Sequence, residues 1–389
     1  MLGHACCLMS IVLLLPACVL SSAGTGGAGG MAGAGGGGAA GGAVGNGGSG
    51  GAGEGGSPAP GAGRRVKITF QNAGGELLQG FPVLVRLDPG RIEYARTSGG
   101  GSDLRFVDAD ATTVLPHEIE DWAENGESLV WVRVPAIEAT GEDYIWMHYG
   151  DPAAGAAQDA EAVWSGFVGV YHLAGGPAEV GRDSSPGGHH GTPNGSMDTD
   201  DPGQIGRALR VNGIGRIDLS GTQDFSAGVG EARTFEAWFR TTNGNTQHLF
   251  SQEVNCRGYG IELGVSDTPL LARLFTGGGC GDINEHYADT DQDYNDDDWH
   301  HVAAVIDRPG SLLKLHVDGA LVDSGSIDDM DGATSSVAWI GSAYSGNSAF
   351  YGSIDEVRIS GSGRSDRWIS AQYRSMRDTF AVYGAPESP

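Results

Sequence analysis

The chain is 389 residues long, enough for two domains of ordinary size, and carries 49 acidic against 23 basic residues for a formal net charge of −26. That excess has the wrong sign for neutralising phosphates, so nucleic acid and an anionic membrane surface are excluded as partners. An exported, soluble or calcium-holding protein fits the charge better.

Residues 1 to 22 read as an export signal, because the apolar run LMSIVLLLPA is too short to span a bilayer and ends in small residues. Leu15-Pro16-Ala17-Cys18 looks like a bacterial lipobox. The resemblance implies that Cys18 becomes the lipidated first residue of an outer-membrane or cell-surface lipoprotein, which touches the membrane only through that lipid anchor. The stretch before it has no Lys or Arg, so an ordinary secretory signal cut nearby stays open. Residues 23 to 63 are almost entirely Gly, Ala and Ser and cannot bury enough surface to offset their ordering entropy. They form a flexible tether with a reach of roughly 35 Å. Once Cys6 and Cys7 leave with the signal and Cys18 takes lipid, Cys256 and Cys280 remain. In an exported chain the economical outcome is one disulfide between them, with a free pair or metal ligation as the alternative.

From residue 64 the pattern changes to period two. VKITF, FPVLVRL, DLRFVD, SLVWVRVPAI and DYIWMHYG read as strands, with Val66, Ile68 and Phe70 on one face and Phe81, Val83, Val85 and Leu87 on another. A β-sandwich over residues 64 to 157 follows. The segments LPHEIEDW, VWVRVP and IWMHYGDP, in this order, resemble an uncharacterised β-rich bacterial domain family that often precedes a jelly roll in exported proteins. That family has no assigned activity. Glu118 and Glu120 stand at i and i+2 on a strand, so they project from one face roughly 6 to 7 Å apart, the spacing glycoside hydrolases use. The simpler expectation is solvated or Arg-paired glutamates on an outer sheet face, with His117 and His148 as packed or surface residues.

The second module starts near Trp164 with the strand GVYHLAGG. TFEAWFRT sets Phe235, Ala237 and Phe239 opposite Thr234, Glu236, Trp238 and Arg240. Val302, Ala304 and Ile306 then alternate up to a Pro309-Gly310 turn, and Leu313, Leu315 and Val317 lead to the turn dipeptide Asp318-Gly319. With the glycine-rich loop that runs from Arg182 to Gly195 and opens Asp183-Ser184-Ser185, the stretch GRALRVNGIGRIDLS and the later strand YGSIDEVRIS, this order resembles the laminin-G-like, concanavalin-A-type jelly rolls over residues 165 to 383. The resemblance implies a structural calcium tying the first loop to the last strand, with Asp183 and Asp355 as candidate ligands. Asp355 sits between apolar neighbours at a core edge, where a lone carboxylate is costly, so its partner is calcium or an arginine such as Arg358. The run ADTDQDYNDDD places Tyr294 where an EF-hand needs glycine and reads as a solvated acidic loop. SDRWISAQYRSMRD is a helix capped by Ser365, with Ile369, Tyr373 and Met376 on one stripe, and TFAVYG a final strand.

The fold class expected is all-β: two β-sandwich domains, the C-terminal one a concanavalin-A-like or laminin-G-like jelly roll with a short C-terminal helix. The function expected is an exported, surface-anchored, non-enzymatic recognition or adhesion protein that binds a glycan or cell-surface protein. The alternatives are a ligand-free envelope scaffold and a carbohydrate-active hydrolase on the jelly-roll fold. Glucanases of that fold resemble a Glu-x-Asp-x-x-Glu strand, which this chain lacks in its jelly roll.

Overall fold

Wherever apolar residues alternate, the computed structural model carries strands. It describes residues 63–253, 258–265, 268–279, 282–328, 335–343, 346 and 348–389. The export signal, the tether, Cys18 and the Cys256/Cys280 pair lie outside the described residues.

The first sandwich pairs two sheets. One runs in the order Ala381–Tyr383, Arg64–Phe70, Tyr144–Tyr149, Arg105–Asp108, Val114–Leu115, the other Leu78–Leu87, Ser128–Ile137, His117–Asp121. Val66, Ile68 and Phe70 from the first and Phe81, Val83, Val85 and Leu87 from the second fill a shared core. One member corrects the expected boundaries. The strand made by TFAVYG does not close the jelly roll; it runs antiparallel to Arg64–Phe70 with Ile68 opposite Tyr383. A three-residue strand has little register of its own. Phe380 supplies it, fully buried with its ring 5.9 Å from Phe70 and 5.4 Å from Phe81. The module expected over residues 64 to 157 is therefore completed by the far end of the chain.

The helix Asp366–Met376 is the second bridge. Ser365 caps it by accepting from the Trp368 amide at 3.0 Å. Its apolar stripe lies on the outer face of Leu78–Leu87, where Ser375 Oγ accepts from the Leu84 amide at 2.9 Å and Trp368 meets Phe81 edge-on at 5.3 Å. This explains why Leu84 is as buried as its alternate neighbours Val83 and Val85.

The jelly roll has two larger sheets. One follows Met197–Pro202, Arg207–Asn212, Tyr351–Ser360, Ala232–Arg240, His300–Asp307, Leu312–Val317, Ala320–Ser326, with Phe167–Tyr171 also paired to Tyr351–Ser360. The other follows Asp282–Thr290, Thr268–Gly279, Gly258–Val265, Gln247–Ser251, Val337–Ile340, Arg216–Ser220, Thr192–Asn194. The hairpin forms as its pattern requires: Val302 faces Val317, Ile306 faces Leu313, and the turn residues Asp318 and Gly319 take φ of 49° and 77°. Phe235, Ala237, Phe239, Val302, Ala304 and Ile306 enter the core between the two sheets. The alternate residues Trp238, Ala303 and Val305 join the first sandwich's core instead. Trp238 donates from Nε1 to Met376 Sδ of the bridging helix at 3.1 Å. The central strands of this sheet, Ala232–Arg240, His300–Asp307 and Tyr351–Ser360, are thus buried on both faces, and the two modules share apolar contacts within the compact unit Ser57–Pro389.

Phe380→Ala is expected to lower stability by roughly 3–5 kcal/mol and to shift a single calorimetric transition without splitting it. Residues 64 to 157 expressed alone, without the strand and helix that cover them, are expected to stay unfolded by circular dichroism. Two separated transitions or a folded fragment would contradict the shared core.

Candidate functional site

The strand Tyr351–Ser360 positions the site because two neighbours divide one of its edges. Arg207–Asn212 pairs with residues 351–354 and Phe167–Tyr171 with residues 357–360. In the gap, the register against Ala232–Arg240 shifts between Glu236 and Trp238, and Glu356 takes a φ of 51°. This is a β-bulge, an extra residue that bends the strand and re-aims side chains. Ile354, Val357 and Ile359 point into the jelly-roll core. The bulge leaves Asp355, Glu356 and Arg358 on the opposite face, against the first sandwich. Left-handed backbone at a residue other than glycine costs of order 1–3 kcal/mol, which the surrounding contacts have to offset.

Those contacts form a buried ionic hub. Arg358 is 1% exposed, with its guanidinium carbon 4.1 Å from the Trp131 ring centroid and 4.9 Å from that of Trp164. It donates from Nε to Glu356 Oε2 at 3.1 Å, and its Nη2 donates to the same oxygen. With its amide assigned to suit both neighbours, Gln372 of the helix accepts from Arg358 Nη1 at 2.8 Å and donates to the Pro82 carbonyl at 3.3 Å. From the other module comes the strand His117–Asp121, on which Glu118 and Glu120 share a face as expected. Trp131 Nε1 donates to Glu120 at 2.6 Å, and Trp164 Nε1 donates to Glu118 at 2.6 Å. Glu118 also accepts from Ser184 Oγ at 2.8 Å. His172 joins the two sides: Nδ1 lies 2.6 Å from Glu356 and 3.6 Å from Glu120, and Nε2 lies 3.3 Å from Glu118.

The protonation pattern follows from burial set against charge. Burial alone would strip His172 of its proton, but Glu356, Glu118 and Glu120 outweigh it and hold the imidazole well above the usual histidine range. Burial likewise opposes ionisation of Glu356, yet His172 and Arg358 bring its pKa down to about 2. Glu118 is lowered against burial by His172 and its hydrogen bonds. Glu120 goes the other way: burial, then the Glu356 charge, push it up to about 8. Asp355 is raised by burial, then by Glu356 and Glu120. The directions favour a charged His172 beside Arg358, facing ionised Glu118 and Glu356, and favour the protonated form of Glu120 and Asp355.

The sequence-predicted residues fall as follows. Glu118 and Glu120 are buried at the module junction, because the face expected to meet solvent is covered by the jelly roll. Arg358 pairs with Glu356 and not with Asp355. Asp355 accepts from the Ile205 amide at 2.8 Å through one oxygen, and its other oxygen has no partner among the described residues. Asp183 accepts from the amides of Val170, Ser185 and His189 at 2.9, 2.9 and 2.8 Å, which folds the loop from Asp183 to Gly188 on itself. Neither aspartate belongs to a group of three or more closely spaced His, Cys, Asp or Glu ligand atoms among the described residues, and both Asp183 oxygens accept from backbone amides. His117 is packed on Phe106 and held near a pKa of about 4 by burial, then by Arg105. His148 lines a separate cleft of about 620 Å³ with Arg64, Arg65, Arg105 and Trp146. His172 and Glu356 were not singled out from sequence. The available signal was three charged residues, Asp355, Glu356 and Arg358, among the apolar Ile354, Val357 and Ile359.

A cavity of about 210 Å³ opens beside the hub against Glu118, Glu120, His172, Glu179, Arg182 and Ser184. Both ionised carboxylates are engaged by protein donors, and the Glu120 side chain is 3% exposed.

Residues 211–370 match the family model described as the concanavalin A-like lectin/glucanases superfamily, and residues 100–172 match a domain of unknown function, DUF2341. The chain thus carries a laminin-G-like jelly roll preceded by that domain. Glu118, Glu120 and His172 come from one matched segment, Glu356 and Arg358 from the other. No curated protein sequence matches the chain. Among solved structures, it is similar to the binding domain of botulinum neurotoxin DC in complex with SialylT, at 13% identity over 50% of this chain and 48% of that one, TM-score 0.39. The botulinum neurotoxin serotype G binding domain aligns at 15% identity over 53% and 50%, TM-score 0.43. The binding domain of Paraclostridial Mosquitocidal Protein 1 aligns at 16% over 50% and 49%, TM-score 0.41. The chain spans about half the length of these structures.

The hub makes stability depend on pH in a stated direction. Glu120 binds its proton more tightly when folded, near 8 against an ordinary 4.5, so its contribution is complete below pH 4.5 and lost as pH rises toward 8. Asp355 acts in the same sense. His172, raised above its ordinary 6.5, contributes fully below pH 6.5 and loses that contribution as pH rises through its folded value, and Glu356 loses its own as pH falls from 4.5 toward 2. The melting temperature is expected to peak near pH 5 and to fall by pH 8.5. Glu120→Gln, which keeps an acceptor for Trp131, is expected to flatten that limb and raise the melting temperature at pH 8 by at least about 3 °C. A melting temperature that climbs from pH 5 to 8, or a variant that only destabilises, would contradict this protonation pattern.

Proposed function

We propose that this is an exported, surface-anchored recognition protein, not an enzyme, whose jelly roll binds a glycan or a cell-surface protein. The observation that carries the reading is the state of the junction carboxylates. Glu118 and Glu356 are engaged by His172, Arg358, Trp164 and Ser184, and Glu120 accepts from Trp131, so this acidic cluster supports a joining role between the modules. The lipobox-like Cys18 and the Gly-rich tether support display away from a membrane. The concanavalin A-like match supports a sugar ligand, on the strength of fold alone. In this account the DUF2341 module is a buttress: it covers one face of the eight-stranded sheet and leaves the rest of the jelly roll to a partner.

The test is a glycan array probed with residues 57–389, run in calcium and again in excess chelator, beside a hydrolysis assay on the same sugars. Binding without turnover is expected. Turnover that Glu118→Gln abolishes would replace this reading with the hydrolase, and the absence of any sugar or protein ligand would favour an envelope scaffold. Binding lost in chelator would support calcium, with Asp183 and Asp355 as its candidate ligands.

A further inference from the structure

The seven-stranded sheet carries a second group of ionisable residues that the hub does not involve. His248 and Glu262 face each other across the strands Gln247–Ser251 and Gly258–Val265. The register shifts between His248 and Phe250, a bulge that sends Leu249 and Phe250 into the core and leaves His248 on the outer face. Glu253, just past the strand end, lies over Gly260, where an added Cβ would come within 2.9 Å of Glu253 Oε1. One ligand atom from each of His248, Glu253 and Glu262 lies within 4.8 Å of the other two.

Their hydrogen bonding is incomplete. His248 is 7% and Glu262 2% exposed, yet His248 Nδ1, Glu262 Oε1 and Glu253 Oε1 are buried with no hydrogen-bond partner among the described residues. A buried polar atom left unpaired costs about 1–3 kcal/mol, and three in one place are a cost that a bound group would relieve. Among the described residues Arg273 is the arginine against them, and it is shared: it pairs with Glu262 Oε2 at 3.0 Å and with Glu285 at 3.3 Å. In the hub, where Glu120, His172 and Glu356 are also closely spaced, Glu120 Oε1 lacks a partner among the described residues but both His172 nitrogens and Glu356 are already engaged.

We propose that His248, Glu253 and Glu262 form a binding site for a divalent first-row metal ion of the zinc type. One imidazole with two carboxylates suits zinc, whereas calcium takes oxygen ligands only. Bond lengths near 2.1 Å need the three donors to close in by only a small side-chain movement. Three protein ligands leave a fourth position for water or for an oxygen of a bound partner. Arg273 holds Glu262 through Oε2, the oxygen that also lies 3.4 Å from His248 Nε2, and leaves Oε1 without a protein partner among the described residues. The site is independent of the junction hub and of whether the jelly roll binds sugar.

The test is isothermal titration of the chelator-treated full chain with Zn²⁺, together with Co²⁺ as a spectroscopic probe. One equivalent is expected to bind, with a visible Co²⁺ band and a Zn²⁺-dependent rise in melting temperature. Losing even an outer partner of a metal ligand costs about 10–100-fold in affinity, so Glu262→Gln and His248→Ala are expected to weaken binding at least about tenfold. Glu120→Gln, in the hub, leaves binding unchanged. No stoichiometric binding would overturn the proposal. So would affinity that His248→Ala and Glu262→Gln leave intact, or that Glu120→Gln alone removes. Should those variants fail to fold, the wild-type Co²⁺ band decides, since a spectrum of hexa-aqua type would exclude an imidazole ligand.

Discussion

A guanidinium with almost no solvent contact constrains the rest of this structure. Arg358 lies between the indoles of Trp131 and Trp164, tied to Glu356, with Gln372 closing its remaining side. A buried charge is tolerated only where its partners are all present, and breaking such a pair costs about 3–5 kcal/mol. Here the partners come from three places: a strand of the first sandwich, the segment leading into the jelly roll, and the C-terminal helix. The jelly roll's strand Tyr351–Ser360 can hold its bulged geometry only while the first sandwich is folded against it. Sequence modules that look separable are therefore parts of one folding problem.

The same constraint accounts for the chain's ends. Arg64–Phe70 opens the first sandwich with a free edge, and Ala381–Tyr383 fills it after the chain has traversed the whole jelly roll. An unpaired edge beside a fully buried core would invite pairing with another chain. The closing strand and the helix before it cover two such surfaces at once. The contact is long in sequence, so folding it needs the jelly roll to be largely in place.

What the sequence made legible was local. The alternation in Val302–Ile306 and Leu313–Val317, the Asp318-Gly319 turn, the Ser365 cap and the apolar faces of Val66–Phe70 and Phe81–Leu87 depend on neighbours a few residues away, and the structure has them all. Burial on both faces was harder to read. Trp238 and Ala303 follow the same alternation as a solvated face would, and only the other module decides that they are covered. Glu118 and Glu120 were visible as a same-face pair, but their partners are His172, 54 residues from Glu118, and Glu356, still farther along. The Glu356 bulge has no sequence signature, since no glycine marks its positive φ. The excess of charge in IDEVRI was the trace it left, and of the two adjacent carboxylates it is Glu356 that Arg358 pairs with.

The central claim is that the two β-modules unfold as one body because their cores and the Arg358 hub are shared. Native-state hydrogen exchange tests it most directly. Amides of Val130 to Val132 in the first sandwich and of Val357 to Ile359 in the jelly roll are predicted to exchange through one opening of equal free energy, with the same denaturant dependence. Exchange of the first group at a distinctly lower free energy, with the jelly-roll amides still protected, would contradict it and restore two independent domains.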